Sequence, residues 1–169
     1  EGVLVINKPA SLRDCNEKVF ATEFPECCTP FLVTSEASLL KSFIEDHKDT
    51  VIKPLDGMGG SSIFRLRNTD PNLNVILETI TDSFTTKVMI QTFIPEITDG
   101  DKRVLLINGM PMNAAVARVP AAGELRGNLA AGASAVARSL TEKDLWICEQ
   151  VGPKLKDLGL VLVGLDIIG

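Results

Sequence analysis

Lys53 closes a short apolar run. Pro54 follows at once, and then a loop with glycine at three of the four positions 57–60: Gly57, Gly59 and Gly60, with Met58 among them. Glycine-rich loops can lay backbone N–H groups over a phosphate chain, and a neighbouring lysine adds a point charge. The order of the parts excludes the two commonest nucleotide motifs. A P-loop has its lysine after the glycines and continues into a helix; here Lys53 precedes them and residues 62–67 alternate as a strand does. The dinucleotide fingerprint needs a glycine where Ser62 stands. What remains is strand, loop, strand, with Gly57 to Ser61 as a flap. For the loop alone, a plain glycine hairpin with a solvated Lys53 fits equally well.

Asp166 lies in Gly164-Leu165-Asp166-Ile167-Ile168, a carboxylate inside an apolar run. Such a group needs a partner. A salt bridge to a lysine or arginine is one choice, and a hard cation such as Mg²⁺ is the other. Arg103, Arg118 and Arg126 fall around one hairpin and the loop after it. Singly they are ordinary surface residues; together they can clamp anionic groups bidentately. His47 is the one histidine, and its place near a helix end suits a helix-end charge. Serine-triad and Cys–His chemistry therefore lack support. Phosphoryl transfer needs positioning and positive charge instead.

The elements that must hold these groups follow from periodicity and turn chemistry. Residues 3–6 read as a buried strand, 11–20 as a loop leading into a short helix, and 31–33 as a short strand. Thr34 or Ser35 can cap a helix over about 36–47, with Leu39, Leu40, Phe43 and Ile44 on one face. Strands are expected from Val51, over 62–67 and over 87–94; residues 74–79 suit a strand or a short helix. Val104 to Ile107, the pair Asn108-Gly109 and a return run through Ala117 form the clearest hairpin signal. Residues 123–133 read as loop. Ser139 and Glu142 fit a capping box, with Thr141 competing. Pro153 should kink or split the helix that follows, and Gly159 should stop it. Residues 160–168 form a nearly continuous apolar strand, as in the middle of a sheet. The mix is α+β, mostly antiparallel.

The 169 residues suit one domain or two small ones, and 45% hydrophobic content supplies a core. A net charge of -5 and the lack of a long basic run argue against a nucleic-acid partner. No apolar run is long enough to span a bilayer, and no signal-peptide pattern is present. Cys15, Cys27, Cys28 and Cys148 form no CxxC pair, so reduced thiols in a cytoplasmic protein are expected. The chain starts in one apolar run and ends on another, without an initial Met, and is expected to be an internal piece of a longer protein.

Several stretches together resemble the bacterial glutathione synthetase family of ATP-grasp ligases. They are Asn7-Lys8-Pro9, Leu12 to Lys18, Lys53 to Gly60, Asp99-Gly100-Asp101-Lys102-Arg103, Arg126 to Gly132, and Gly164 to Gly169. The resemblance implies an ATP-grasp fold of two α+β subdomains with antiparallel sheets clamping ATP. Residues 1–17 would end a substrate domain and linker, 18–91 would be the small lid subdomain, and 92–169 the large subdomain, truncated at its C-terminal end. It implies ligation of γ-glutamylcysteine to glycine with ATP and Mg²⁺, or Mn²⁺, through an acyl phosphate. By the same resemblance, Lys18 and Lys53 contact phosphates under the flap Gly57, Met58, Gly59, Gly60 and Ser61. Gln91, Thr92, Phe93 and Ile94 hold adenine, Asp101 and Arg103 lie near the nucleotide, and Arg118, Arg126 and Asn128 face the acyl phosphate and peptide. Asp166 holds the metal. A homo-oligomer is implied by the family alone.

Three departures stand out. Only the last strand of the family's N-terminal substrate domain can be present. The family's other two metal ligands, an acid and an asparagine, fall just beyond Gly169, so the isolated chain is expected not to turn over. The further glycines of the family's loop are replaced by Ala133-Ser134-Ala135. Another ATP-grasp carboxylate–amine ligase would share the nucleotide residues but differ at Arg126-Gly127-Asn128. A non-catalytic ATP-binding module would have no need of Arg126 and Asn128.

Overall fold

A computed structural model describes residues 2–121 and 132–169. The chain divides into two compact units, residues 16–94 and residues 1–15 with 95–169.

Unit 16–94 contains the helix α2 (Glu17–Phe20), strands β1 (Phe31–Thr34), β2 (Thr50–Pro54), β3 (Phe64–Leu66) and β4 (Val88–Thr92), and helices α3 (Ala37–His47) and α4 (Leu73–Ile80). Its sheet has the order β1-β4-β2-β3 and is antiparallel throughout. Leu40 and Ile44 of α3, Leu77 of α4, Ile52, Leu66, Val88 and Ile90 form a closed core. Burying each such side chain contributes about 2 kcal/mol. Neither Thr34 nor Ser35 caps α3: Glu36 is its N-cap, without a side-chain bond, and the Thr34 hydroxyl accepts from the Glu36 N–H. Leu39 turns to solvent, because the stripe that reaches the sheet is narrower than the run of apolar residues. His47 is the last residue of α3 and stacks on Phe43, with centroids 4.2 Å apart. Residues 74–79, open between strand and helix, lie in α4, and β3 is shorter than the alternation suggested.

The second unit contains α1 (Pro9–Asp14), the hairpin strands β5 (Asp101–Ile107) and β6 (Met110–Val119), β7 (Ser134–Ser139), α5 (Glu142–Asp157) and β8 (Leu162–Ile168), with sheet order β7-β6-β5-β8. Asn108 (φ 52) and Gly109 (φ 79) supply the left-handed turn that the Asn-Gly pair announced. A Cβ on Gly109 would also lie 2.6 Å from the Gly152 carbonyl oxygen, so the hairpin tip sits directly on α5. Strand alternation sorts the faces. Val104, Leu106, Ala115, Ala117 and Ile167 are buried with Cys148, Val151 and Leu155 of α5, while Arg103, Leu105, Val116, Leu162 and Asp166 are on the open face.

Residues 3–6 form no strand and are exposed, since none of them finds a ladder partner among the described residues. The first helix starts at Pro9, a favoured first-turn residue, and runs to Asp14, into the stretch from residue 11 expected to open as a loop. Thr141, with Asp144, forms the capping box of α5, not Ser139 with Glu142. Pro153 does not split α5, which runs unbroken to Asp157. The helix loses one backbone bond there, but buried Val151 and Leu155 on either side hold it to the sheet. Gly159 (φ 68) does stop it, with Leu160 N–H donating to Leu155 O and Gly159 N–H to Lys156 O. β8 pairs with β5 alone among the described residues, and its apolar run hides an alternation of exposed and covered positions. β7 was not expected from the sequence. It pairs Ala135 with Arg118 and Ser134 with Val119, so Ser134 and Ala135, which depart from the family's glycines, are strand residues.

Candidate functional site

In the first unit, Asn16 starts α2 by accepting from the N–H groups of Lys18 and Val19. Its amide also donates to Leu55 O and Asp56 Oδ1. This fixes Lys18 against the start of the glycine loop, where its ammonium donates to Glu17 Oε1, Leu55 O and Gly57 O at 2.8, 3.3 and 2.9 Å. Lys53, on β2, lies near enough to Lys18 and Glu17 to feel their charges and makes no hydrogen bond or ion pair among the described residues. Burial lowers its pKa from 10.5, and the Lys18 charge lowers it further; Cys28 and Glu17 oppose the shift. The loop leaves the strand tightly: a Cβ on Gly57 would lie 2.6 Å from Pro54 Cγ. Gly59 and Gly60 take φ of 65 and 75, and Ser61 N–H donates to Met58 O. Met58 projects into solvent. Two lysines near one glycine-rich loop suit an anion such as a polyphosphate.

Gln91 and Thr92 end β4, and Phe93 and Ile94 follow it. Phe93 N–H donates to Asp49 O, and the Arg65 guanidinium lies 3.7 Å from the Phe93 ring centroid. Asp49 receives both Arg65 and Arg67, and hydrogen bonding from Arg65 leads the causes that hold its pKa at about 2. The Thr92 hydroxyl is buried without a partner among the described residues.

In the second unit, the strand register sets Arg103 opposite Asp166 and Asp101 opposite Arg118. Arg103 donates bidentately to Asp166, through Nε and Nη2, both at 2.7 Å. Arg118 does the same to Asp101 and also reaches Asp166 Oδ2 at 2.8 Å. Burial pushes the Asp166 carboxyl up, but the hydrogen bonds from Arg103 and Arg118 outweigh it and hold it below its ordinary value. Hydrogen bonding to Asp101 raises Arg118. The salt bridge is therefore what Asp166 has in this structure. A groove of 760 Å³ runs along this face, with Arg103 and Arg118 beside Leu105, Met112, Ala114 and Val116. Such an apolar floor with a charged edge suits a flat ring system attached to an anion.

The structure thus gathers Lys18, Lys53 and Gly57 to Ser61 in one unit, and Asp101, Arg103, Arg118 and Asp166 in the other. Arg126 and Asn128 lie outside the described residues. Sequence reasoning missed the supporting groups: Asn16, Glu17, Asp49 and the buried pair Lys102–Asp144 at 2.7 Å. Asn16 could have been found, since Asn before Glu-Lys at a helix start is an N-cap signal. The others depend on pairings distant in sequence.

Comparison with known proteins decides the family. The sequence profile of the prokaryotic glutathione synthetase ATP-grasp domain matches residues 17–169. The chain belongs to this family. It is 58% identical over 169 residues to a glutathione synthetase of Pseudomonas putida, covering 100% of this chain and 53% of that protein. A Vibrio parahaemolyticus glutathione synthetase is 53% identical over 169 residues, with 54% of that protein covered. The chain spans about half the length of the curated relatives it matches. Among solved structures, the ATP-grasp ligase PsnB with minimal precursor, Mg and ADP superposes with TM-score 0.68 at 19% identity, over 99% of this chain and 50% of that one. D-alanine–D-alanine ligase from Bacillus anthracis superposes with TM-score 0.61 at 15% identity, over 96% of this chain and 55% of that one. The fold of this glutathione synthetase family member is the α+β ATP-grasp fold. No helix among the described residues is long and apolar enough to cross a membrane.

Proposed function

We propose that the chain is the nucleotide-handling part of an ATP- and Mg²⁺-dependent ligase that joins γ-glutamylcysteine to glycine, giving glutathione, ADP and phosphate. The family match over residues 17–169 carries the proposal. In it, Lys18 and Lys53 bind ATP phosphates, Gly57, Met58, Gly59, Gly60 and Ser61 cover them, and Gln91 to Ile94 hold adenine. Asp101 orients Arg118, while Arg103, Arg118, Arg126 and Asn128 receive the γ-phosphoryl group and the peptide carboxylate. Positioning and positive charge are what such a transfer demands.

Asp166 supplies a hard oxygen ligand, and Mg²⁺ takes one or two carboxylates beside phosphates and water, so the residue fits the metal. No group of three or more His, Cys, Asp or Glu that could hold a metal ion exists among the described residues, and Asp166 would be the one ligand this part of the chain contributes. The metal supplies neutralisation of phosphate charge. Arg103 and Arg118 would pair with anionic groups of the substrates.

The assignment of residues 1–17 to a substrate domain and linker, 18–91 to the lid subdomain and 92–169 to the large subdomain belongs to the same proposal. So do self-association and a cytoplasmic location, which rest on the family. The test is product analysis of the protein that carries this chain, with ATP, Mg²⁺, γ-glutamylcysteine and a panel of amino acids. Glycine-dependent ADP release with glutathione formed is expected. Peptide-independent hydrolysis, or preference for another acceptor, overturns the substrate assignment.

A further inference from the structure

The ladder between β2 and β4 ends where Thr92 pairs with Thr50. One residue further out, Phe93 N–H donates to the main-chain oxygen of Asp49 at 3.0 Å. The Asp49 side chain takes the Arg65 guanidinium through both oxygens, with Nε to Oδ1 at 2.8 Å and Nη2 to Oδ2 at 2.6 Å. The same guanidinium lies over the Phe93 ring, 3.7 Å from its centroid. Asp49, Arg65 and Phe93 thus close a ring of contacts in which each touches the other two. Strand register puts Arg65 on a definite side of the sheet. Arg65 is opposite Val51 and Val51 opposite Gln91, and residues opposite one another share a face. Lys53, two residues on from Val51, lies on that face as well. Arg67 donates to the same carboxylate at 3.2 and 2.9 Å, but among the described residues it has no contact with the Phe93 ring.

We infer that Asp49 and Arg65 are positioning residues for adenine recognition, clamping Phe93 and through it the segment Gln91 to Ile94. The inference rests on the adenine role of that segment in the proposed function. A base is read only as well as the groups that read it are held in place. Past Thr92 the ladder no longer holds this backbone, and the bond from Phe93 N–H to Asp49 adds one more rung. The guanidinium is planar, and its two-pronged bond to Asp49 fixes that plane. Stacked on Phe93, it restricts the ring to one orientation. Asp49 also answers the Arg65 charge, so the clamp acts on the base and not on the phosphates.

The test measures binding of ATP and of inorganic tripolyphosphate by calorimetry, in the full-length protein that carries this chain and in its variants. R65M should weaken ATP about fivefold, within the range that a stacked cation contributes, and leave tripolyphosphate affinity unchanged. R65K keeps the charge without the planar fork and should fall between R65M and the parent. R67M removes a donor from the same carboxylate and should lower the melting temperature about as R65M does, with ATP affinity unchanged. In turnover, R65M should raise KM for ATP and leave KM for γ-glutamylcysteine as it was. Unchanged ATP affinity in R65M and R65K overturns the clamp. So does an equal loss in R67M, which would mean a purely structural cluster, or a matching loss for tripolyphosphate, which would mean a phosphate contact. A parent protein without ATP affinity removes the nucleotide assignment and the clamp with it. A parent that binds ATP, with R65M indifferent, removes the clamp alone.

Discussion

The lysine pair and the arginine–aspartate face carry positive charge in opposite ways. Asp101, Arg103, Arg118 and Asp166 form a closed set of matched pairs on adjacent strands. Among the described residues Lys18 is paired with Glu17, and Lys53 makes no hydrogen bond or ion pair. The first cluster is stable by itself and must exchange partners to take a ligand. The second holds charge in waiting, at a cost in desolvation that an anion would relieve. The contrast predicts that nucleotide affinity follows the lysines and that fold stability follows the arginines.

The sharpest break would come from K18M. Losing a charged donor to phosphate costs about 1.5–3 kcal/mol, so ATP affinity should fall on the order of 10- to 100-fold in calorimetry. If R103M weakens ATP binding more than K18M does, the contrast is wrong. Next in size is D101N, which leaves Arg118 with Asp166 alone. Urea unfolding should show a loss of about 2 kcal/mol, against little change for K53M.

A third prediction uses linkage. A lowered lysine pKa means the unfolded chain binds more protons, so the Lys53 contribution to stability rises with pH between its folded value and 10.5. An anion pushes that pKa back up. Nucleotide binding at alkaline pH should therefore take up a fraction of a proton, visible as a dependence of calorimetric heat on buffer ionisation enthalpy and absent in K53M. Proton release on binding would contradict the arrangement.

The smallest effect is at Asp49. Its carboxyl is held at about 2, below the 3.8 of the unconstrained group, so its ion pairs stabilise fully above pH 3.8 and fail as pH falls through about 2. The cluster is partly solvated, which limits the contribution to under about 1 kcal/mol. D49N should flatten the acid side of the stability profile by that amount; an unchanged profile would mean the cluster contributes nothing.

Much of the frame was legible in the chain. The β5–β6 hairpin followed from Asn108-Gly109, α3 from its apolar stripe, and the end of α5 from Gly159, because each depends on interactions within a few residues. β7 was not legible: all its residues are exposed, and its ladder is supplied by β6. Residues 3–6 misled for the converse reason, since an apolar run says nothing about whether a partner strand exists. The flap was recognisable from glycine spacing, but the pairing of Lys18 with Leu55 and Gly57 spans more than thirty residues and left no periodic trace.

By itself the sequence determined the family, through motifs whose residue types and order survive without coordinates. It also determined which groups could do chemistry: Lys18, Lys53, the glycines, the arginines and Asp166. The tertiary structure decided the state of those groups. It set Asp166 opposite Arg103 and within reach of Arg118, and left Lys53 without a partner among the described residues while Lys18 is occupied. The physical reason is that electrostatics depends on distance in space, and strand register and side-chain burial, which set those distances, are fixed only when remote segments pack.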